Sequence, residues 1–375
     1  MSSVLSEHLG YLRLPGRFDL YAEALGNIVK PGDVVADLGC GVGVLGLQAL
    51  RAGAARVYGI DHSDAIELAR ETMAREGLSG RYTCIRESSF RAELPERVDV
   101  LVCDHVGFFG VDYGIVAMLQ DARARFLKPG GAVVPRQLTL YLAAVSSQQC
   151  RDIVTPWSEP PVPGEYSWLG EQAANSHHAV ELAADDLATD PVAVLTVALD
   201  TDQPDTLSMT AELELTRDAE LDGMAGWFDC ELAPGVTMTN SPLADDAIGR
   251  PQAFFPFTTP IAGKSGDILA TELRIRHDTT IIAWSAGLRH SDRRQKMTNW
   301  KSRVLTRQDI QARLDTPLAL NREGRARQAV LALVDGKRTA REIEALVFER
   351  HPDLFPSEAE TSRFVRAELV RIADS

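Results

Sequence analysis

Val34-Val35-Ala36-Asp37-Leu38-Gly39-Cys40-Gly41-Val42-Gly43 decides the fold. The apolar run predicts a strand, and Gly-x-Gly-x-Gly predicts a tight turn into a helix over 44–52. Glycines there let the backbone approach a ligand closely, because they carry no Cβ and adopt positive φ readily. Eighteen residues beyond Gly43, a second apolar strand, Arg56-Val57-Tyr58-Gly59-Ile60, ends in Asp61. An acid at that place can accept hydrogen bonds from both hydroxyls of a ribose. The two strands together predict a nucleoside site at the carboxyl edge of a parallel sheet.

The spacing narrows the nucleoside. A dinucleotide site prefers Gly-x-Gly-x-x-Gly, which seats the pyrophosphate on a helix N-terminus. Here the glycines are Gly39, Gly41 and Gly43, followed by Leu45, and the strand ends in its own acid, Asp37. An acid repels a pyrophosphate and suits a cofactor with an amino group and no phosphate, which points to S-adenosylmethionine. This D-x-G-x-G-x-G pattern resembles the first motif of class I methyltransferases.

Composition sets the bounds. The 375 residues are enough for two or three domains. A net charge of −14 argues against nucleic acid as a partner, since phosphate contacts need clustered Lys and Arg. It is compatible with a cationic acceptor. Cys40, Cys84, Cys103, Cys150 and Cys230 are scattered and form no C-x-x-C pair, so a reducing cytoplasm with neither disulfide nor metal site is expected. No signal peptide pattern or long apolar run is read, so neither export nor a membrane span is expected.

From residue 33 to about 138 strands alternate with helices: 34–37, 44–52, 56–61, 65–76, 82–86, 98–103, 116–126 and 131–135. That order predicts a doubly wound α/β domain over 1–137, preceded by a helix within residues 1–30, with Lys128-Pro129-Gly130-Gly131 as a turn. Past Pro135 the β-branched and alternating runs 138–145, 192–199, 206–215, 224–231, 268–275 and 279–285 predict an antiparallel β domain over 138–305, a barrel or a sandwich. Within it, the Pro/Gly-rich segment carrying Trp157, Tyr166 and Trp168 is a candidate dimerisation arm near 156–180. Residues 306–375 predict a small winged-helix-like module, with Thr339 and Glu342 forming a capping box.

This layout is similar to the protein arginine methyltransferases over roughly residues 5–290, which implies a seven-stranded-type cofactor sheet followed by a β-barrel, and a homodimer. His8-Leu9-Gly10-Tyr11-Leu12-Arg13-Leu14-Pro15-Gly16-Arg17 with Tyr21 resembles the family's H-x-x-M-L-x-D-x-x-R…Y segment, Tyr11 and Leu14 replacing the Met and Asp. The resemblance implies that Arg17 pairs with the methionyl carboxylate, which a guanidinium fork suits. Gly59-Ile60-Asp61-His62-Ser63 is similar to the ribose segment. The family's adenine-binding acid has no clear counterpart, and Ser88 and Ser89 would have to serve through hydroxyl or backbone contacts.

Two motifs depart from the family. Cys103-Asp104-His105-Val106-Gly107-Phe108-Phe109-Gly110-Val111-Asp112-Tyr113 resembles S-E-x-M-G-x-x-L-x-x-E, in which two glutamates clamp a guanidinium. Asp104 keeps the first charge, and the second falls on Tyr113 beside Asp112. The T-H-W loop should fall at 242–252, where only Gln252 and Phe254-Phe255 match; Thr298-Asn299-Trp300 has a similar look but follows the last barrel strand.

These residues predict methyl transfer to an O or N atom of a small molecule or peptide, a bacterial tailoring reaction with Asp104 and His105 as orienter and base. The alternatives are arginine or guanidinium N-methylation with Asp104 and Asp112 as clamp, and a non-catalytic scaffold. Asp104, His105, Asp112 and Tyr113 are the catalytic candidates. The cofactor candidates are His8, Arg17, Asp37, Gly39, Cys40, Gly41, Gly43, Leu45, Asp61, His62, Ser63, Ser88, Ser89 and Asp104. The terminal module is assigned a leader peptide or carrier protein.

Overall fold

The computed structural model describes residues 2–302 and 319–372. These form two compact units, 1–304 and 305–375, described in turn.

The first unit opens with α1 (Ser2–Leu12) and α2 (Arg17–Ile28), two helices where one was expected. Pro15 and Gly16 separate them, Gly16 turning at φ 68° before Arg17 starts the second. The parallel sheet follows, built of β1 (Val34–Leu38), β2 (Arg56–Ile60), β3 (Tyr82–Ile85), β4 (Val98–Cys103) and β5 (Leu127–Val134) in the order β3-β2-β1-β4-β5. Every residue of β1 is buried, as a central strand covered on both faces requires. The crossovers are α3 (Val44–Ala52), α4 (Ala65–Arg75) and α5 (Ile115–Arg125). On α4, Ala65, Ile66, Ala69 and Met73 are buried, the stripe of a helix packed on a sheet.

The strand order reverses at β1, whose neighbours are β2 and β4, and a doubly wound sheet opens its crevice at such a point. Leu38 pairs with Cys103, so Gly39 and Asp104 emerge side by side from the two carboxyl ends. The sheet has five strands and not seven, because the chain leaves it after β5 for an antiparallel domain. Lys128–Gly131 is not a turn before β5 but a bulge inside it. Leu127 pairs with Val98 and Ala132 with Val100, and the residues between are looped out with the Lys128 Nζ 2.8 Å from Asp99.

Two antiparallel sheets complete the unit. One contains β6 (Gln137–Val145), β7 (His178–Val180), β8 (Val192–Ala198), β10 (Ala219–Ala233) and β12 (Gln252–Gly263), in the order β7-β12-β10-β6-β8, with β11 (Val236–Thr239) pairing β10. The other is β15-β14-β13-β9, from β9 (Thr206–Glu214), β13 (Ile268–Arg276), β14 (Ile281–Leu288) and β15 (Gln295–Thr298). They share a core, and the Trp284 indole of the second donates to the Pro256 carbonyl of the first at 2.8 Å. Strand β12 carries Pro256 and Pro260, which argue against a strand in sequence. It forms because the register shifts opposite Leu221 and Gly223, so Gly223 faces Pro256 and Leu221 faces Ile261. The expected arm segment holds two short helices, α6 (Gln148–Val154) and α7 (Leu169–Ala174), with Trp157, Tyr166 and Trp168 exposed.

The second unit contains α8 (Arg322–Leu331), α9 (Ala340–Arg350) and α10 (Glu358–Ile372) around Val330, Ile343, Val347 and Val365. Thr339 and Glu342 form the capping box at the start of α9. No strand occurs among its described residues, and 306–318 of the expected module lie outside them. No described helix is long and apolar enough to cross a membrane.

Candidate functional site

A cleft of about 410 Å³ opens at the switch point, within the size range of small-ligand sites. It is lined by the turn after β1, the ends of β2 and β4, and the first two helices.

On one side the glycine turn forms a cradle. A Cβ on Gly39 would lie 1.9 Å from the His105 Cε1, and one on Gly41 would lie 2.8 Å from the His8 Cε1, so both imidazoles sit where only glycine leaves room. Asp61 shapes the turn from the end of β2. One carboxylate oxygen accepts from the Gly41 N–H and the other from the Ser63 N–H, both at 2.8 Å. A carboxylate has about four acceptor sites, so two remain for hydroxyls. Asp37 is buried, accepts from the Gly46 N–H at 2.8 Å and thereby ties α3 to β1. Burial pushes its carboxyl up to about 7. Cys40, Leu45, His62 and Ser63 also line the cleft, and Gly43 turns the chain into α3 at φ 82°.

Arg17 lies on the opposite wall. It is 3% exposed and held among the rings of Tyr11, Phe18 and Tyr21, whose centroids lie 5.7, 5.2 and 5.9 Å from its guanidinium carbon. Its guanidinium forms an ion pair with Asp104, whose other oxygen accepts from the Tyr21 hydroxyl at 3.0 Å. Burial lowers the Arg17 pKa, and its Nε has no partner. His105, one residue on, is pushed below its ordinary value by burial, which favours the neutral ring.

Three assigned residues are placed elsewhere. Asp112 does not join Asp104 in a clamp: it is turned into the protein, accepting from the Phe109 N–H at 2.9 Å, with His177 Nε2 3.6 Å from its second oxygen. A Cβ on Gly107 would lie 1.8 Å from Asp112, so the loop closes over that carboxylate. Ser88 and Ser89 do not line the cleft either. The Ser88 N–H donates to Glu87 at 2.7 Å, and the Ser89 carbonyl accepts from Arg125. Tyr113 does line it, half exposed, its ring 6.0 Å from that of Phe108.

Sequence reasoning missed Arg250, which reaches the cleft from the loop after β11, where the T-H-W motif was sought. One cation in a loop of otherwise unremarkable composition gives no pattern to find. Thr298-Asn299-Trp300, the look-alike, is tied into the β-sheet: the Asn299 side chain accepts from the Ile282 N–H at 2.9 Å.

The cleft fits S-adenosylmethionine: a glycine turn packed so closely under His8 and His105 that no Cβ fits, a ribose-type acid with acceptor sites to spare, and a buried guanidinium with an orphaned nitrogen.

Comparison with known proteins agrees. The family described as "Ribosomal protein L11 methyltransferase (PrmA)" matches residues 19–135. A rice protein named "Probable protein arginine N-methyltransferase 6.2" is 32% identical over 226 residues, 58% of this chain and 57% of its own length, so the chain spans little more than half of that relative. An "Arginine N(omega)-methyltransferase" of Streptomyces achromogenes subsp. streptozoticus is 28% identical over 280 residues, 71% of this chain and 75% of its own. The Trypanosoma brucei PRMT1 enzyme–prozyme complex with AdoHcy superposes with a TM-score of 0.69 at 18% identity, covering 78% of this chain and 97% of its own. Arabidopsis thaliana protein arginine methyltransferase 10 gives 0.66 at 20%, covering 77% and 96%. In sequence the chain resembles the arginine methyltransferases over the residues matched, and in fold it shares the architecture of their solved structures.

Proposed function

We propose that the chain transfers a methyl group from S-adenosylmethionine to a guanidino nitrogen. The observation that carries this reading is the ion pair between Asp104 and Arg17: a carboxylate at the end of β4 holds a guanidinium within the cleft. The names of the relatives, arginine N-methyltransferases, support the same acceptor class and put it ahead of the broader O- or N-transfer expected from sequence.

Bound S-adenosylmethionine would supply a sulfonium methyl, the new N–C bond replacing the C–S bond whose electron pair stays on sulfur, and the acceptor nitrogen would lose one proton. Asp104 would grip the acceptor guanidinium and orient one nitrogen. The Tyr21 hydroxyl fixes the carboxylate from behind. His105 lines the same cleft, and its neutral ring, favoured by burial, would take the proton. Tyr113 stands at the family's second acid, so one carboxylate carries the clamp. Arg17 must give up Asp104 for an acceptor to bind, and a second carboxylate entering the cleft can draw it away.

The test is mass spectrometry of reactions with S-adenosylmethionine and L-arginine, an arginine peptide, or a panel of hydroxyl, carboxylate and amine acceptors. Methyl on a guanidino nitrogen is expected. Methyl only on the panel would replace this reading with the broader one.

A further inference from the structure

Arg250 is the charged group of the cleft that the mechanism leaves unused. It is 8% exposed, its guanidinium carbon lies 5.2 Å from the centre of the Phe108 ring, and its Nε has no hydrogen-bond partner. Among the described residues it forms no ion pair, whereas Arg17 in the same cleft is neutralised by Asp104. A buried unpaired charge is unfavourable unless a partner of opposite sign arrives. A planar guanidinium laid on a ring presents its fork to a carboxylate, which it binds bidentately.

The position is built. Asn240 is fully buried and donates to the Phe108 and Pro251 carbonyls, both at 2.9 Å, so one side chain ties the backbone of the residue whose ring faces Arg250 to that of the residue after Arg250. Gln252 donates to the Asn240 carbonyl at 2.6 Å and accepts from the Leu182 N–H at 2.9 Å, anchoring the loop to its sheet. Gly249 turns into Arg250 at φ 65° beside Pro15. A cation held this rigidly is preorganised to read an anion.

We infer that Arg250 binds a carboxylate of the acceptor, so that the acceptor class is a guanidino acid with a free carboxylate and not an arginine internal to a protein. The inference rests on the guanidino reading above. Asp104 takes one end of such a molecule and Arg250 the other; the occupant that competes for Arg250 is the donor's own carboxylate.

The test compares kcat/KM for L-arginine, for agmatine, which lacks the carboxylate, and for an arginine peptide blocked as the C-terminal amide. Wild type should prefer L-arginine over both by roughly 10- to 100-fold, the worth of a charge-assisted contact. In Arg250→Gln, L-arginine should fall to the agmatine level while agmatine stays within about threefold. Arg250→Lys should keep part of the preference, and titration with S-adenosylhomocysteine should give the same affinity in all three proteins. Equal use of the three acceptors by wild type, or a preference that survives in Arg250→Gln, overturns the inference. So does an Arg250→Gln protein that loses S-adenosylhomocysteine binding and slows on all acceptors alike, which would assign Arg250 to the donor. If S-adenosylhomocysteine binds but no guanidino compound is methylated, the guanidino reading itself has failed and this inference goes with it.

Discussion

The two halves of the cleft are made differently. The half at the β1 and β2 ends is built from backbone, tied by carboxylates: Asp61 holds the Gly41 and Ser63 N–H groups, and Asp37 holds that of Gly46. The half at the β4 end is built from side chains carried by separate segments, and it keeps two orphaned atoms, Arg17 Nε and Arg250 Nε. A backbone cradle needs particular residues at particular spacing, so it is written locally. A side-chain cage needs only that distant segments meet, so it leaves little local trace. In the proposed reading the first half takes the donor and the second the acceptor.

That contrast can be broken by substitution. Asp104→Asn should lower turnover by roughly 100- to 1,000-fold, as loss of a transition-state contact does, while S-adenosylhomocysteine affinity changes less than about threefold. Equal losses in both would merge the two halves. Asp61→Ala should do the reverse. Two hydrogen bonds to a charged group are worth about 3 kcal/mol together, or roughly 100-fold in cofactor affinity by calorimetry. Gly39→Ala should weaken the cofactor by about tenfold through contact with His105 and through its φ of 65°. Adding His105→Ala should recover only the contact part, so full recovery would show that φ carries no strain.

The smallest effect concerns pH. Burial raises the Asp37 carboxyl from 3.8 to about 7, so the folded chain keeps a proton that the unfolded chain releases across that window. Stability through this group is therefore greatest at low pH and falls as pH rises towards 7. Between pH 5 and 8 the Tm of the cofactor-free protein should drop by a few degrees more in wild type than in Asp37→Asn. Identical slopes would remove Asp37 from the account.

The same division explains what could be read from sequence. The strand ending in Asp37, the glycine turn, the strand before Asp61 and the two crossover helices were legible because periodicity and turn chemistry are local. Strand β12 was not, since its prolines flank extra residues of β12 itself that loop out opposite Leu221–Gly223. Nor was the fate of Asp112, one residue from Tyr113 but folded under its own loop against His177, some sixty residues on. Arg250 becomes a site residue only because Asn240 ties its loop to Phe108.

The central claim is that Asp104 is the acceptor's carboxylate and that Arg17 occupies it until a cofactor carboxylate takes Arg17 over. Calorimetric titration of L-arginine into the protein, alone and saturated with S-adenosylhomocysteine, tests it most directly. The account predicts arginine binding at least about tenfold tighter to the saturated protein, with the gain absent in Asp104→Asn. Equal affinity with and without the cofactor product, or a gain that survives in Asp104→Asn, would contradict it.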